Sequence, residues 1–310
     1  RTKQLMLARD RFGKKPLYVA VLPNGLWFGS ELKCLRAADI PLELDHDALR
    51  LYFQFNYIPD PLSPYKNIRK LAPGGWLLYS QDGSVREGRY WTLPIPAEEP
   101  SPDLDRETAK EEIRRLFDES VRLRMIADVP LGAFLSGGID SSSVVASMSL
   151  QSPNRVKTFS IGFEEAEFNE LPAAKLVAQK YNTEHHEILV KPDSINLVNK
   201  LVHFFDEPFG DSSAIPTYLV SEFSVPHVKV ALTGVGGDAL FNGYESFFLI
   251  DNLRKFDAIP LALRRAASLI ADGLPYSAYG KNYLRMISRP NPLERYFDLN
   301  YTPYYLRQKL

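Results

Sequence analysis

A serine- and glycine-rich stretch near the middle of the chain carries residues that are suited to phosphate chemistry. The segment Ser136–Ser142 has the sequence Ser-Gly-Gly-Ile-Asp-Ser-Ser and follows the apolar run Val129–Leu135. Small and apolar residues at helical spacing continue through Ser141–Leu150. Two adjacent glycines let the backbone approach a ligand and turn its amides toward it, and a helix N-terminus favours an anion. The pattern therefore predicts a buried strand that ends in a phosphate-binding loop.

One acidic residue within this loop indicates a metal ion. A bare carboxylate at Asp140 would repel phosphate, so we expect Asp140 to hold Mg²⁺ that the phosphates also contact. The loop has neither the lysine of a Walker A motif nor the spacing of a dinucleotide fingerprint. A loop that binds pyrophosphate with the help of Mg²⁺ fits best. The alternative is an ordinary Gly-Gly turn with a capping Asp or Ser.

A second segment, Leu232–Tyr244, also combines a strand end with a glycine-rich turn. Its sequence is Leu-Thr-Gly-Val-Gly-Gly-Asp-Ala-Leu-Phe-Asn-Gly-Tyr, and Asp238 is its single acid. Two carboxylates from two strand ends, Asp140 and Asp238, can share Mg²⁺ and leave positions for phosphate oxygens. The alternative is that Asp238 only caps the following helix.

The elements around these two segments alternate between helix and strand. The predicted helices are Arg106–Met125, Glu170–Tyr181, Asp193–Phe205 and Ala214–Phe223, and the predicted strands are Lys157–Phe163, His186–Val190 and Lys229–Thr233. Strands separated by helices indicate a doubly wound parallel sheet, in which ligands bind beyond the carboxyl ends of the strands where the strand order reverses. We therefore expect the two loops to face each other across one cleft. The first helix is expected to face inward with Ile113, Leu116, Phe117, Val121 and Leu123.

The beginning of the chain has a different pattern, rich in short strands and turns. The predicted elements are strands at Gln4–Ala8, Leu17–Leu22, Leu26–Gly29 and Gly75–Ser80 and a helix at Asp45–Tyr52 that Asp45 caps. Four prolines within Thr92–Asp105 indicate a linker, because proline neither continues a helix nor donates to a ladder. The predicted domains are therefore residues 1–91 and 106–310, joined by a linker at 92–105.

Composition narrows the classes of function. The chain has 310 residues, with 37 Lys and Arg against 38 Asp and Glu, so no basic field for nucleic acid is present. A single cysteine, Cys34, excludes a disulfide framework and a multi-cysteine metal site, and it suits a reducing compartment. No apolar run of about 20 residues is present to span a membrane. We expect a cytoplasmic protein and, because the chain begins with Arg1 on a strand-like segment, a piece of a longer one.

Several motifs together resemble those of the glutamine-hydrolysing asparagine synthetases. They are Asp10–Tyr18, Ser30–Lys33, Ser136–Ser142, Thr158–Phe163, Asp206–Ser213 and Thr233–Tyr244. The resemblance implies an ATP-pyrophosphatase (PP-loop) domain, preceded by the C-terminal part of an α+β N-terminal-nucleophile glutaminase domain. It also implies an activity. ATP·Mg²⁺ adenylates the side-chain carboxylate of aspartate and releases pyrophosphate, and glutamine-derived ammonia then displaces AMP to give asparagine.

The resemblance assigns roles to individual residues by position. ATP would be bound by Leu135, Ser136, Gly137, Gly138, Asp140, Ser141, Ser142, Ile161, Gly162, Thr233 and Gly234. Leu135 and Ile161 would flank the adenine, whose edge the main chain near Ile161 and Gly162 would read, while Ser136–Ser142 would hold pyrophosphate. Asp140 and Asp238 would hold Mg²⁺. The catalytic residues stay unassigned, because the family's nucleophilic cysteine and catalytic lysine have no counterpart in this chain. The fragment itself is therefore expected to bind nucleotide better than it catalyses.

Three positions depart from the family pattern in the second loop. Val235 and Ala239 stand where the family has acids, and Asn242 stands where it has glycine. The first acid is expected to handle the amino acid or the ammonia, so another carboxylate, such as a sugar acid in polysaccharide biosynthesis, is an alternative substrate. A relative that binds nucleotide without catalysis is a further alternative. The other rival is an enzyme with the same loop, of a tRNA-thiolating or NAD-forming type, which the missing basic patch and the single cysteine oppose.

Other candidate sites have simpler interpretations. The adjacent His185 and His186 point to opposite sides of a strand, so they are not expected to share one metal ion. Cys34 is expected to be an inert residue in a short helical turn. The aromatic side chains near the end, Tyr296, Phe297, Tyr301, Tyr304 and Tyr305, are expected in a helical core or on an uncovered surface. The expected partners are small molecules (ATP, glutamine or ammonia, and a carboxylate), and the oligomeric state is left open, a homodimer included.

Overall fold

The computed structural model describes residues 3–38, 40–94, 105–165, 169–190, 194–275 and 278–300. They form two compact units, each built from more than one stretch of chain. The first unit takes the described residues of Arg1–Ile95, Val202–Asp211 and Glu245–Leu310, and the second takes those of Pro96–Leu201 and Ser212–Tyr244. The division into 1–91, 92–105 and 106–310 stays a prediction. Most of the proposed linker lies outside the described residues.

The first unit begins with two small antiparallel sheets. Its elements are β1 (Gln4–Ala8), β2 (Tyr18–Leu22), β3 (Gly25–Gly29), α1 (Leu32–Arg36), α2 (His46–Phe55), β4 (Arg69–Lys70), β5 (Gly75–Ser80) and β6 (Val85–Arg89). One sheet has the order β1-β5-β6 and the other β3-β2-β4. All four predicted strands are confirmed, as is the cap of α2, where the Asp45 carboxylate accepts the amides of Asp47 and Ala48 at 3.0 Å.

Strand β2 explains how this part of the unit holds together. Successive side chains of a strand point to opposite faces. Val19 packs with Leu7 and Leu77 of the other sheet, whereas its neighbour Tyr18 packs with Leu32 of α1. Both faces of β2 are therefore covered, and its first three side chains are buried.

A buried ion pair fixes the segment Val202–Asp211 within the first unit. The Lys70 ammonium lies 2.8 Å from the Glu207 carboxylate and donates to the Ile58 carbonyl at 2.8 Å. The Tyr18 hydroxyl also bonds Glu207, and burial raises the pKa of both groups, although Lys70 opposes the shift at Glu207. Because an unpaired charge would be costly at such a site, the pair requires this segment to stay in place.

The second unit is an α/β layer structure built on one parallel sheet. Its elements are α3 (Arg106–Arg124), β7 (Leu131–Phe134), α4 (Ile139–Gln151), β8 (Lys157–Phe163), α5 (Leu171–Lys180), β9 (Glu184–Val190), the first part of α6 (Ser194–Phe205), α7 (Ala214–Ser224), β10 (Val230–Leu232) and α8 (Gly237–Phe241). The end of α6, from Val202 on, belongs to the first unit. The strand order is β9-β8-β7-β10, with all pairs parallel. The order therefore reverses between β7 and β10, which is the switch point of a doubly wound sheet.

Two hydrophobic clusters cover the two faces of this sheet. On one face Ala133 of β7 packs with Val145 of α4 and Ala174 of α5. On the other face Phe159 of β8 packs with Val220 of α7. Helices on both faces confirm the predicted doubly wound α/β fold.

The inward face predicted for α3 is only partly correct. Val121 is buried and Phe117 packs against the same cluster, but Ile113, Leu116 and Leu123 are about half exposed. Helix α3 packs against α4, and Phe117 and Val121, spaced by one turn, form a narrow stripe. The wider apolar face that the sequence indicates is not covered by the described residues.

Four helices that the sequence analysis did not predict complete the first unit. They are α9 (Glu245–Leu253), α10 (Leu261–Gly273), α11 (Lys281–Ile287) and α12 (Pro292–Asn300). Their core contains Leu253 and Met286 and a fully buried Arg295, whose guanidinium bonds the Asp257 carboxylate. No helix among the described residues is long and apolar enough to cross a membrane.

We predict that His185 makes the stability of the second unit depend on pH. Its Nδ1 lies 2.8 Å from the Thr158 hydroxyl, and burial lowers the pKa of His185, although the Glu187 carboxylate opposes this. The folded state therefore binds a proton less readily than the unfolded state, whose pKa is about 6.5. Stability should be fully present above that pH and should fall as the pH decreases below it.

Urea unfolding of the wild type and of His185→Gln at pH 8 and pH 5 tests this. The loss of stability between the two values should shrink in His185→Gln and should persist in His46→Gln, because His46 is exposed. An equal loss in wild type and His185→Gln would contradict the prediction.

Candidate active site

The two glycine-rich loops meet at the switch point of the parallel sheet. One loop follows β7 and the other follows β10, and these strands are neighbours, with Leu232 opposite Ala133. A Cβ on Gly234 would lie 2.6 Å from the Ser141 amide nitrogen. A Cβ on Gly237 would lie 2.1 Å from the Asp140 carboxylate. The two loops therefore lie next to each other, as predicted, and glycine at both positions permits the close approach. A cleft between them stays a prediction.

The first loop is shaped by its glycines and by its own serine hydroxyls. Gly137 has a φ of 85°, and Gly138 is the N-cap of α4, without a side-chain cap. The hydroxyls of Ser136 and Ser141 lie 2.9 Å apart, and the Ser136 amide donates to the Ser141 hydroxyl at 3.2 Å. The alternative of a turn capped by Asp or Ser does not describe the start of α4, because no side chain caps it.

Helix α4 begins two residues earlier than its sequence pattern predicts. Asp140 and Ser141 therefore lie in its first turn, where backbone amides have no acceptor within the helix. The Ser142 hydroxyl is buried and has no hydrogen-bond partner among the described residues. Buried polar atoms are almost always paired, so this oxygen is one that a bound anion or water would satisfy. The loop thus offers unpaired donors at the positive end of a helix.

The two predicted metal-binding carboxylates lie in these facing segments. The Asp140 carboxylate lies against Gly237, which precedes Asp238 in the first turn of α8. The Asp238 carboxylate lies against Gly243, where a Cβ would be 2.2 Å from its Oδ1. Helix α8 has Gly236 as N-cap with no side-chain cap, so Asp238 does not cap it. The described residues contain no group of three or more potential metal ligands, so phosphate oxygens or water would have to complete a Mg²⁺ site.

The side chains predicted to contact the nucleoside do not all lie on one face of the sheet. Leu135 is 2% exposed, its amide donates to the Phe159 carbonyl at 2.9 Å, and its carbonyl accepts the Ser160 hydroxyl. Ile161 packs in the cluster on the opposite face of the sheet. The two side chains therefore pack in clusters on opposite faces of the sheet, and their predicted contacts with adenine stay a prediction. Gly162 lies against the Leu171 side chain, whereas Thr233, at the start of the second loop, is exposed.

The sites that the sequence analysis set aside behave largely as predicted. His185 bonds Thr158, whereas the His186 ring stacks on Phe159 at 5.2 Å, so the two histidines do point to opposite faces. Cys34 is exposed in the short helix α1. Tyr296 stacks on Phe247. The side chain of Phe297 and the three later tyrosines lie outside what the structure describes.

Sequence reasoning missed the partners of the motif Asp206–Ser213. Lys70 and Tyr18, which bond Glu207, come from strands more than 130 residues earlier in the sequence. A lysine next to the apolar Leu71 in a short strand is the only local signal, and it does not identify a partner. The motif therefore contributes to the structure of the first unit, in addition to any role in a functional site.

Comparison with known proteins finds matches over both parts of the chain. A family model described as asparagine synthase matches residues 112–307, and one described as glutamine amidotransferase domain matches residues 1–91. Asparagine synthetase [glutamine-hydrolyzing] 1 of Bacillus subtilis is 36% identical over 89% of this chain and 43% of its own length. A putative asparagine synthetase [glutamine-hydrolyzing] 2 of Methanocaldococcus jannaschii is 39% identical over 85% and 52%. The chain thus spans about half the length of the curated relatives it matches.

Among solved structures, a likeness is found to an NH3-dependent NAD synthetase from Campylobacter jejuni. It covers 46% of this chain and 61% of that chain, with a TM-score of 0.30 and 17% identity.

We predict that Gly137→Ala destabilises the second unit more than Gly236→Ala does. Both glycines have positive φ, at 85° and 99°, so each substitution should cost about 1 kcal/mol from backbone strain. A Cβ on Gly137 would also lie 2.6 Å from the Ala174 amide nitrogen, whereas a Cβ on Gly236 meets nothing within 4 Å. The clash should add ~1–3 kcal/mol for Gly137→Ala in urea unfolding. Equal losses in the two variants would show that the first loop does not pack against α5.

Proposed function

The chain belongs to the asparagine synthase family, and we propose on that basis that it forms the nucleotide-binding part of an ATP-dependent amidotransferase. In the proposed reaction a substrate carboxylate attacks the α-phosphorus of ATP and pyrophosphate leaves. Ammonia derived from glutamine then attacks the acyl carbon and AMP leaves, which forms an amide. The observation that carries the proposal is the contact between the two glycine-rich loops at the switch point, which brings Asp140 against Gly237.

The electrostatics of the two loops fit the charges of this reaction. Adenylation brings a carboxylate against a triphosphate, so two anions must approach and charge must gather on the leaving pyrophosphate. Donors that are fixed before the reaction stabilise such charge without reorganisation. The first-turn amides of α4 and the hydroxyls of Ser136, Ser141 and Ser142 are the donors that we assign to this role. Gly137 and Gly138 let the backbone approach the phosphates.

The residues present fit both ATP phosphates and Mg²⁺. A Cβ on Gly138 would meet only the Ser136 hydroxyl, at 3.3 Å, and one on Gly236 would meet nothing within 4 Å, so both glycines border open space. Carboxylate oxygens are ligands that Mg²⁺ prefers, and we propose that Asp140 and Asp238 hold it. The metal would supply positive charge against the phosphate oxygens. Thr233 and Gly234 are proposed to contact the nucleotide. The same is proposed of Leu135, which follows β7, and of Ile161 and Gly162, which lie near the end of β8.

Aspartate is the carboxylate substrate that the names of the relatives indicate, with asparagine as product. One observation favours a different carboxylate. Val235 is 92% exposed within the second loop, and its isopropyl group can neither pair with an ammonium nor accept a proton from ammonia. Ala239, also exposed, offers no carboxylate either. The sugar acid named above is therefore retained as a second candidate, and the homodimer stays a prediction.

We predict that Asp140→Asn removes the part of ATP affinity that depends on Mg²⁺. With Mg²⁺ present, calorimetric titration should show binding at least about tenfold weaker than in the wild type, a loss of ~1.4 kcal/mol or more. With EDTA in place of Mg²⁺, Asp140→Asn should bind ATP at least as tightly as the wild type, because the variant lacks the carboxylate that repels phosphate. Asp128→Asn is the control, because Asp128 is exposed at the amino end of β7, away from the loops. Unchanged ATP binding by Asp140→Asn in the presence of Mg²⁺ would refute the assignment.

A further inference from the structure

Helix α3 carries a second apolar stripe besides the one that packs within the second unit. Ile113, Leu116 and Leu123 are exposed by 48%, 50% and 52%. Together with Ala109 and Ser120 they follow the 4-3-4-3 spacing of a heptad pattern, in which Ile113 and Ser120 take position a and the other three take position d. We call these five residues the α3 seam.

The α3 seam lies on a different face of the helix from the contact with α4. That contact is made by Phe117 and Val121, and the Asp118 carboxylate accepts the Ser147 hydroxyl of α4 at 2.5 Å. At about 100° per residue, Val121 lies roughly 120° around the helix from the middle of the seam. The described residues of the second unit therefore leave the seam open to a partner.

The charges beside the seam suit a parallel partner with the same sequence. Glu112 and Glu119 occupy g positions on one side, whereas Lys110 and Arg124 occupy e positions on the other, and all four are exposed. In a parallel pair each g residue faces the e residue of its partner's next heptad, so Glu119 would face Arg124. An antiparallel pair would face g with g and e with e, and like charges would then meet.

The pair of Glu119 and Arg124 can form without the loss of an existing ion pair. The Arg124 guanidinium donates to the Ser120 carbonyl and hydroxyl, at 2.9 and 2.7 Å, and has no acidic partner among the described residues. Glu119 lies 3.1 Å from Arg115, which also pairs with Glu112. Because a carboxylate accepts several hydrogen bonds, Glu119 can keep Arg115 and bind a partner's arginine as well.

We propose that the α3 seam is an interface with a second copy of this chain, in which two α3 helices pair in parallel as a short coiled coil. Isoleucine at a with leucine at d, as at Ile113, Leu116 and Leu123, favours two strands. Removal of these side chains from water stabilises the pair. The inference goes beyond the proposed function, since α3 carries none of the residues assigned to the nucleotide.

Sedimentation velocity of this chain tests the interface. A single helix pair buries less surface than a standard interface, so the wild type should dimerise with a dissociation constant on the order of 10 μM. Leu116→Glu should weaken the dimer at least about tenfold, because the seam would bury a carboxylate. Leu176→Glu is the control and should dimerise as the wild type does, since Leu176 is an exposed leucine on another helix of the same unit, α5. Circular dichroism checks that both variants are folded.

Reversal of two charges tests the parallel direction. At low ionic strength, Glu119→Arg and Arg124→Glu should each weaken the dimer by about fivefold, because each places like charges opposite one another. The double variant should restore dimerisation, since the reversed pair again joins opposite charges.

Oxidative crosslinking tests the register. In a Cys34→Ser background, Ser120→Cys should give a disulfide-linked dimer, because equivalent a positions of parallel helices are neighbours. Glu111→Cys, on the side of α3 away from the seam, should not.

Four outcomes would overturn the inference. They are a monomeric wild type, equal weakening by Leu116→Glu and Leu176→Glu, a double charge variant that dimerises no better than the single variants, and crosslinking of Glu111→Cys but not of Ser120→Cys. A monomeric wild type is the result expected if another part of the same protein covers the seam. None of these outcomes alters the proposed function, which ATP titration tests separately.

Discussion

The close approach between the first turn of α4 and the segment after β10 is the contact on which the candidate site depends. The parallel pairing of β7 and β10 brings both strand ends to one edge of the sheet. At that edge Gly234 lies against the Ser141 amide, and Gly237 lies against the Asp140 carboxylate. A Cβ at either position would be within 2.6 Å of these atoms, so any other residue would force the loops apart. The lack of a side chain at Gly234 and Gly237 therefore shapes the site as much as the side chains that are present.

The sequence predicted the second unit well because its signals are local. Alternating helix and strand patterns specify a doubly wound sheet, and a sheet of that kind specifies which strand ends carry a ligand site. The positions of both loops and of Asp140 were predicted in this way. The error in the prediction for α3 has a physical reason. The length of an apolar stripe does not reveal how much of it a neighbour covers, so α3 was expected to bury Leu116 and Leu123, which are exposed.

Contacts between distant parts of the sequence set the limit of such prediction. The pairing of Lys70 with Glu207 and of Arg295 with Asp257 joins residues that no periodic pattern relates. A buried ion pair contributes little net stability in comparison with apolar residues, but removal of one partner is costly. Such pairs therefore specify an arrangement more than they stabilise it, and they are found only when the fold is known. The placement of Val202–Asp211 in the first unit depends on an interaction of this type.

In the proposed function, nucleotide binding and substrate choice depend on different kinds of residue. Glycines, backbone amides and a helix terminus can hold phosphates whatever side chains surround them. The exposed Val235 projects from the second loop without taking part in that framework, because glycines rather than this residue make the contact between the loops. A substitution at such a position can change the acyl substrate while the adenylation machinery is preserved. The loss of an acid at Val235 is therefore compatible with an intact phosphate site.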